Sequence, residues 1–188
     1  MTNPNPSAPT MRCCHRLRVR WAEVDIQKIV FNAHYLMYFD SAMADYWRDL
    51  CLPYEAAMHL LEGDVFLKKA SVEYHAPARY DDVVEVGLRC QRIGTSSLVF
   101  DGRIVRGDTL LVTSELIYVY ANAASQKPQP VPEALRTIFD SFEAGQTMSE
   151  LRLGDWAALG DLASVLRTDV FVQEQGIGAH MVWDDADA

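Results

Sequence analysis

One segment, residues 32–50, constrains the fold more than any other because apolar side chains occupy most of its circumference as a helix. The side chains that recur at helical spacing are Tyr35, Phe39, Ala42, Met43, Tyr46, Trp47 and Leu50. Leu36 and Tyr38 widen this stripe and leave only a narrow polar side. A helix this apolar needs other structure around it. The segment therefore predicts a buried helix that the rest of a domain covers.

After this helix the hydrophobic period changes to two, which is typical of β-strands. Strands are predicted at residues 16–24, 65–74, 83–93, 98–105 and 110–120, and short helices at 53–62 and 133–144. Tight turns at Gly94 and Gly107 join successive strands, which indicates an antiparallel meander. The predicted class is α+β, with one buried helix against a curled antiparallel sheet.

Length and charge exclude several kinds of protein. The chain has 188 residues, which suits one domain with an appendage. Its net charge of −9 repels phosphate backbones, so we expect no nucleic-acid partner. Residues 1–11 predict a disordered leader, and no apolar run is long enough to span a membrane. The expectation is a cytoplasmic protein.

The four cysteines do not indicate a metal site. None of them forms a C-x-x-C pair, so a zinc knuckle is not supported. Their spacing suggests no disulfide framework, which fits a reducing compartment. We therefore predict neither a structural metal nor a network of disulfides.

Asp25 is the candidate catalytic residue because it precedes the buried helix. A helix start offers unpaired backbone N–H groups and the positive end of the helix dipole. Such groups can stabilise an oxyanion while a neighbouring carboxylate attacks or activates water. An Asp at this place is more often a cap or a solvated loop residue, so the pattern alone is weak. Asn32 is the predicted N-cap.

The region around Asp25 resembles the signature of the 4-hydroxybenzoyl-CoA thioesterase family of hotdog proteins. The resemblance lies in the motifs at residues 21–25, 29–31 and 34–36, and it continues at 71–82, 93–97 and 127–132. It implies a hotdog fold over residues 12–145, in which a curled sheet wraps a long central helix. It also implies hydrolysis of an acyl-CoA thioester.

The resemblance implies roles for individual residues. Asp25 takes the place of the catalytic carboxylate, and the backbone N–H groups of Phe31 and Asn32 would polarise the thioester carbonyl. This sequence departs from the family at Glu23, where Asp is commoner, and at Asn32, where many relatives have His. Small or Gly residues are frequent at the places of Gln27 and Lys28.

The substrate and the assembly are also implied by the resemblance. Coenzyme A is part of the substrate, so no separate cofactor is expected. Hotdog active sites usually form between two subunits, which implies a homodimer or homotetramer. The candidate substrate-binding residues are His34, Tyr35, Thr95, Ser96, Ser97, Arg92 and Lys127. The alternatives are a strand start for the serines, solvated surface for the charged residues, and ordinary packing for the histidine.

Residues 146–188 have a different character and resemble the opening of a GNAT N-acetyltransferase. The similarity comprises a first strand, a helix that ends in the motif at residues 170–177, and an acidic motif at 183–187. The spacing of Gln173, Gly176 and Gly178 fits a pyrophosphate loop, but that loop must follow a strand and open a helix. Here it follows a helix, so we interpret the spacing as a coincidence.

Three functions remain open from the sequence. The first is an acyl-CoA thioesterase. The second is an acetyl-CoA-dependent N-acetyltransferase, if a fuller second domain exists. The third is a non-catalytic module that binds acyl-CoA or an acyl carrier. Release of free thiol from acyl-CoA separates the first from the third.

We predict that the 188-residue chain does not acetylate amines, because residues 151–188 cannot form both faces of an α/β sheet. Truncation after Gly145 should preserve hydrolysis of acyl-CoA. The measurement is acetyl-CoA with a panel of amines, for the full chain and the truncated one. An acetylated amine that forms only with the full chain would contradict the prediction.

Overall fold

The computed structural model describes residues 11–183, which fall into two compact units. The first unit is Met1–Met148 and the second is Ser149–Ala188. The predicted leader therefore lies outside the described residues except for Met11. The boundary between the units falls three residues beyond the predicted Gly145, and Met148 packs against the core of the first unit.

The first unit contains one five-stranded antiparallel sheet. The strands are β1 (Cys13–Arg18), β2 (Asp64–Tyr74), β3 (Val83–Ile93), β4 (Ser97–Arg106) and β5 (Thr109–Ala121). Their order across the sheet is β1-β3-β4-β5-β2. The predicted meander is therefore β3-β4-β5, whereas β2 crosses to the far edge and pairs with β5.

Three helices accompany the sheet: α1 (His34–Asp49), α2 (Tyr54–Leu60) and α3 (Glu133–Glu143). The predicted apolar stripe of α1 is buried, as are the inward positions of β3 and β4. Phe139 of α3 stacks on Tyr46 of α1, with 5.6 Å between the ring centroids. The α+β class with an antiparallel sheet is confirmed.

Two apolar side chains of the predicted strands are exposed. Trp21 lies within the predicted strand 16–24, but β1 ends at Arg18 and a 3-10 turn begins at Trp21, which is 77% exposed. Leu110 is 39% exposed at the start of β5, while Leu111 and Val112 are both buried. The pairing of β4 with β5 shifts register near Leu110, and a bulge of this kind moves side chains to the other face.

The second unit is helical where it is described. Helix α4 (Trp156–Arg167) begins at Asp155, whose carboxylate accepts a hydrogen bond from the Ala158 N–H at 3.0 Å. A π-helical turn, Thr168–Glu174, follows. Residues 149–183 contain no strand, so the strand expected before this helix is absent from them. A single strand has no neighbour with which to pair, and is marginal by itself.

No helix in residues 11–183 is long and apolar enough to cross a membrane.

Candidate active site

Asp25 lies in a closed loop that joins Glu23 to the start of α1. The Asp25 N–H donates to Ile29 O and the Lys28 N–H donates to Asp25 O, each at 2.9 Å. Lys28 has φ 61°, a left-handed conformation that favours glycine. This backbone angle gives a physical reason for the small residues that the family has here, and it shows that Lys28 adopts the same kind of turn.

The Asp25 carboxylate is half-buried and has one oxygen available. Its Oδ1 accepts a hydrogen bond from the Gln27 N–H at 2.7 Å, which orients the group. Within the described part of the chain, no donor contacts Oδ2. One oxygen is therefore held while the other is open to a ligand or to water.

A cleft of about 570 Å³ opens beside Asp25. Tyr35 forms part of its wall, and its hydroxyl accepts a hydrogen bond from the Ala78 N–H at 3.0 Å. Tyr74 forms another part, and its hydroxyl donates to Asn32 O at 3.1 Å. The remaining walls are mostly apolar: Ile26, Ile29, Val30, Phe31, Ala76 and Pro77. Such a cleft suits an apolar group whose polar end lies at the carboxylate.

The helix start offers the N–H groups of Asn32 and Ala33, whereas the prediction named those of Phe31 and Asn32. The Phe31 N–H donates to Glu23 O at 2.9 Å, so it is not available to a substrate. The N–H groups of Asn32 and Ala33 have no acceptor among residues 11–183. The prediction that Asn32 caps α1 is wrong, because Ala33 is the N-cap residue and no side chain caps the helix.

Glu23 is the one charged side chain that is buried in the described chain, with 3% exposure. It accepts hydrogen bonds from the Arg20 N–H at 2.7 Å and from the Tyr38 hydroxyl at 2.8 Å. Burial by itself would raise the pKa of the carboxyl group. The hydrogen bonds from Arg20 and Tyr38 outweigh that effect and hold the pKa of Glu23 below its usual value.

Among the predicted substrate-binding residues, only Tyr35 joins Asp25 in the cleft. His34 follows Asn32 in the chain but lies outside the cleft lining, with its Nδ1 3.3 Å from Met37 Sδ. The other candidates lie at the end of β3, the turn after it and a loop beyond β5: Arg92, Thr95, Ser96, Ser97 and Lys127. The structure does not bring this second group to Asp25.

The strand pairings along β5 show how far the Asp25 cleft lies from the predicted residues near Thr95. Tyr74, which lines the cleft, pairs with Val112, and Ser97 pairs with Val119. At 3.3 Å per residue, these two positions on β5 lie about 23 Å apart. Within one subunit, the carboxylate and the predicted coenzyme A residues are therefore at opposite ends of the sheet.

Arg136 of α3 organises the turn that contains Thr95. Its guanidinium donates to Gly94 O, to Thr95 O at 3.1 Å and to Val131 O at 3.2 Å. Ser97 begins β4, as the strand interpretation predicted. Arg92 and Lys127 are exposed. The backbone oxygens of the turn are thus held by Arg136, and among residues 11–183 neither Arg92 nor Lys127 has an ion-pair partner.

Sequence analysis assigned no role in the site to three side chains that lie at the Asp25 loop or line the cleft: Glu23, Tyr74 and His75. Tyr74 and His75 line the cleft from the end of β2, and His75 Nε2 lies 2.8 Å from Thr113 Oγ1. Their contact with the loop is long-range, so no local spacing reveals it. In residues 11–183, no group of three or more His, Cys, Asp or Glu side chains could hold a metal ion.

The chain is similar to known thioesterases. A family model described as the thioesterase superfamily matches residues 27–113. The acyl-CoA thioester hydrolase YbgC of Escherichia coli O6:H1 is 31% identical over 121 residues, which are 63% of this chain and 89% of that protein. A putative esterase of Aquifex aeolicus is 33% identical over 94 residues, 50% of this chain and 73% of that protein.

Among solved structures, the chain is similar to a thioesterase from Thermus thermophilus complexed with coenzyme A and Zn. The TM-score is 0.63 at 24% identity, and the match covers 71% of this chain and 96% of that one.

Proposed function

The chain belongs to the thioesterase superfamily, and on that premise we propose that it is an acyl-CoA thioesterase. It hydrolyses an acyl-CoA thioester to a free carboxylic acid and coenzyme A. The observation that carries this proposal is the open Oδ2 of Asp25, in an apolar cleft at the start of a helix whose Asn32 and Ala33 N–H groups are free. The names of the relatives support the same reaction.

In the proposed mechanism, the thioester carbonyl oxygen accepts hydrogen bonds from the Asn32 and Ala33 N–H groups. These donors and the helix dipole stabilise the negative charge of the tetrahedral intermediate. Asp25 Oδ2 either attacks the carbonyl carbon, which gives a mixed anhydride that water hydrolyses, or removes a proton from an attacking water. Both routes break the C–S bond, and the released thiolate takes up a proton.

Asp25→Asn should lower kcat by roughly a hundredfold or more, because the amide can neither attack nor accept a proton at neutral pH. The assay is release of free thiol from a panel of aliphatic and aromatic acyl-CoA esters. Asp108→Asn is the matched control, since Asp108 lies in the exposed turn between β4 and β5. Unchanged turnover in Asp25→Asn would remove Asp25 from the mechanism. Binding without turnover by the wild type would favour the non-catalytic module.

A pair of variants at Asn32 tests the oxyanion donors. Asn32→Ala should leave stability within about 0.5 kcal/mol, because the side chain is exposed and caps nothing. It should also leave kcat within about threefold. Asn32→Pro deletes one N–H and should lower kcat by roughly a hundredfold. Urea unfolding and the thiol assay measure both effects, and equal kcat values in the two variants would contradict the proposed hole.

We further propose a homodimer in which each active site uses both subunits. Strand β2 is 11 residues long, is mostly exposed and has a hydrogen-bonded neighbour on one side only. An edge of this kind readily pairs with another strand. Two-fold antiparallel pairing of β2 with its copy would set the Tyr74 end of one strand beside the Asp64 end of the other.

This pairing would bring the separated groups of site residues together. The Asp64 end of β2 lies beside the end of β5, where Val119 pairs with both Phe66 and Ser97. The turn at Thr95 and the Lys127 loop of one subunit would then lie on the side of the other subunit's Asp25 cleft. The cations Arg92 and Lys127 would be available to the phosphates of coenzyme A. The 23 Å separation within one subunit, about seven residues of strand, supports this division of the site.

Subunit mixing tests the division. Neither Asp25→Asn nor the double variant Arg92→Glu with Lys127→Glu should be active alone at low substrate concentration. Random mixing makes half of the dimers mixed, and each mixed dimer has one intact site in two, so about a quarter of the wild-type activity should return. No recovery after exchange, or a monomer in sedimentation, would contradict the shared site.

The motifs at residues 21–25 and 29–36 support a finer assignment to the 4-hydroxybenzoyl-CoA thioesterase family. The GNAT-like character of the second unit remains a prediction. Residues 149–183 supply helix α4 without a strand, and nothing in them favours acetyl transfer.

A further inference from the structure

Glu23 lies at the base of the loop that contains Asp25 and connects this loop to α1. Its backbone oxygen accepts the Phe31 N–H at 2.9 Å and closes the base of the loop. Its side chain reaches Tyr38 in the second turn of α1 at 2.8 Å. Asp25 follows Glu23 by two residues, and Asn32 follows Phe31 directly. Glu23 is therefore close to both the Asp25 segment and the start of α1. In the proposed mechanism, the Asp25 carboxylate and the N–H groups at that helix start act on the same thioester.

The loop has a second set of contacts that depends on this base. Val24 and Val30 form an isolated antiparallel bridge, and the Val30 N–H donates to Ala78 O at 2.9 Å. These bonds hold the outer part of the loop. Ala78 in turn donates its N–H to the Tyr35 hydroxyl at 3.0 Å, which links this side of the loop to the first turn of α1. The bond between Glu23 and Tyr38 links the base of the loop, two residues before Asp25, to the second turn.

We propose that Glu23 is a positioning residue for the reaction: through Tyr38 it fixes Asp25 relative to the N–H groups at the start of α1. The inference rests on the proposed function and deepens it. Correct placement of a reacting group can contribute a large part of the rate, and a misplacement of about 1 Å can cost a hundredfold. Glu23 itself does not contact the cleft and is not a catalytic residue.

A role in stability alone does not explain this arrangement well. Replacing a buried charged group with a well-packed apolar residue is often neutral or stabilising, so a buried carboxylate is weak evidence for stability. The length of the side chain also matters, because Glu23 reaches both the Arg20 N–H and the Tyr38 hydroxyl. The aspartate that the family commonly has here is one methylene shorter.

The chain offers a matched pair of tyrosines for the test. Tyr38 and Tyr46 both lie on α1 with buried rings, and each hydroxyl donates to a glutamate. Tyr46 lies about two turns further along, and its partner is Glu143 at the end of α3, at 2.6 Å. Tyr38→Phe and Tyr46→Phe thus remove the same kind of bond at opposite ends of one helix.

We expect Tyr38→Phe to lower kcat about tenfold while KM changes by less than about twofold, since placement of Asp25 affects the transition state more than binding. Both variants should lower the unfolding midpoint by a similar amount. Tyr46→Phe, however, should leave kcat per folded site within about twofold of the wild-type value. Glu23→Asp should behave like Tyr38→Phe, because it keeps the charge but shortens the reach. Wild type and Asp25→Asn are assayed in the same series.

Equal kcat values for Tyr38→Phe and Tyr46→Phe would overturn the inference, whether both fall or neither does. Amide hydrogen exchange gives a readout that does not need turnover: exchange at Asp25 and Phe31 should speed up in Tyr38→Phe and not in Tyr46→Phe. If the panel contains no substrate, this exchange still decides whether Tyr38 holds the loop. If the wild type is active and Asp25→Asn equally so, Asp25 is removed from the mechanism and the positioning role of Glu23 fails with it. If the wild type hydrolyses none of the esters, the proposed function fails, whatever the exchange shows for Glu23 and Tyr38.

Discussion

The fold depends on the burial of α1 against one face of the sheet. Tyr46 of the helix contacts Phe100 of β4 and Phe142 of α3, with ring centroids 5.2 and 5.1 Å apart, so three elements share one aromatic cluster. Gly102 permits the close approach, because a Cβ there would lie 2.5 Å from the Phe39 ring. Burial of these rings is the dominant favourable term, and it fixes the helix in position and rotation.

The active-site geometry follows from that placement. Once the aromatic face of α1 is buried, its first turn must face the loop at Asp25 and the end of β2. Tyr35 then reaches Ala78, and Tyr38 reaches Glu23. The free N–H groups at the helix start are useful only because the carboxylate is held beside them. Packing in the middle of α1 therefore determines where the groups at its start are placed.

Local patterns predicted the elements well and their long-range contacts poorly. Strand β3 has the predicted bounds, because it is buried with clean alternation on one face. The pairing of β2 with β5 could not be predicted, since no local pattern distinguishes one antiparallel neighbour from another. The Phe31 N–H was assigned to a substrate, but a tertiary bond to Glu23 occupies it. The place of Asp25 before a buried helix is a weak signal, so its proposed catalytic role depends mainly on the resemblance.

The net charge of the chain bears on how an anionic substrate is held. A surface with a net charge of −9 repels coenzyme A at long range. Salt screens exposed charges beyond about 8–10 Å. Binding of coenzyme A therefore depends on the nearest cations and not on the net charge of the chain. In one subunit, the β5 partners of Tyr74 at the cleft and of Ser97 at the Thr95 turn lie about 23 Å apart. Arg92 and Lys127 are near that turn, at the other end of the sheet from Asp25. In the proposed homodimer, pairing of β2 with its copy would bring the cations of one subunit towards the cleft of the other.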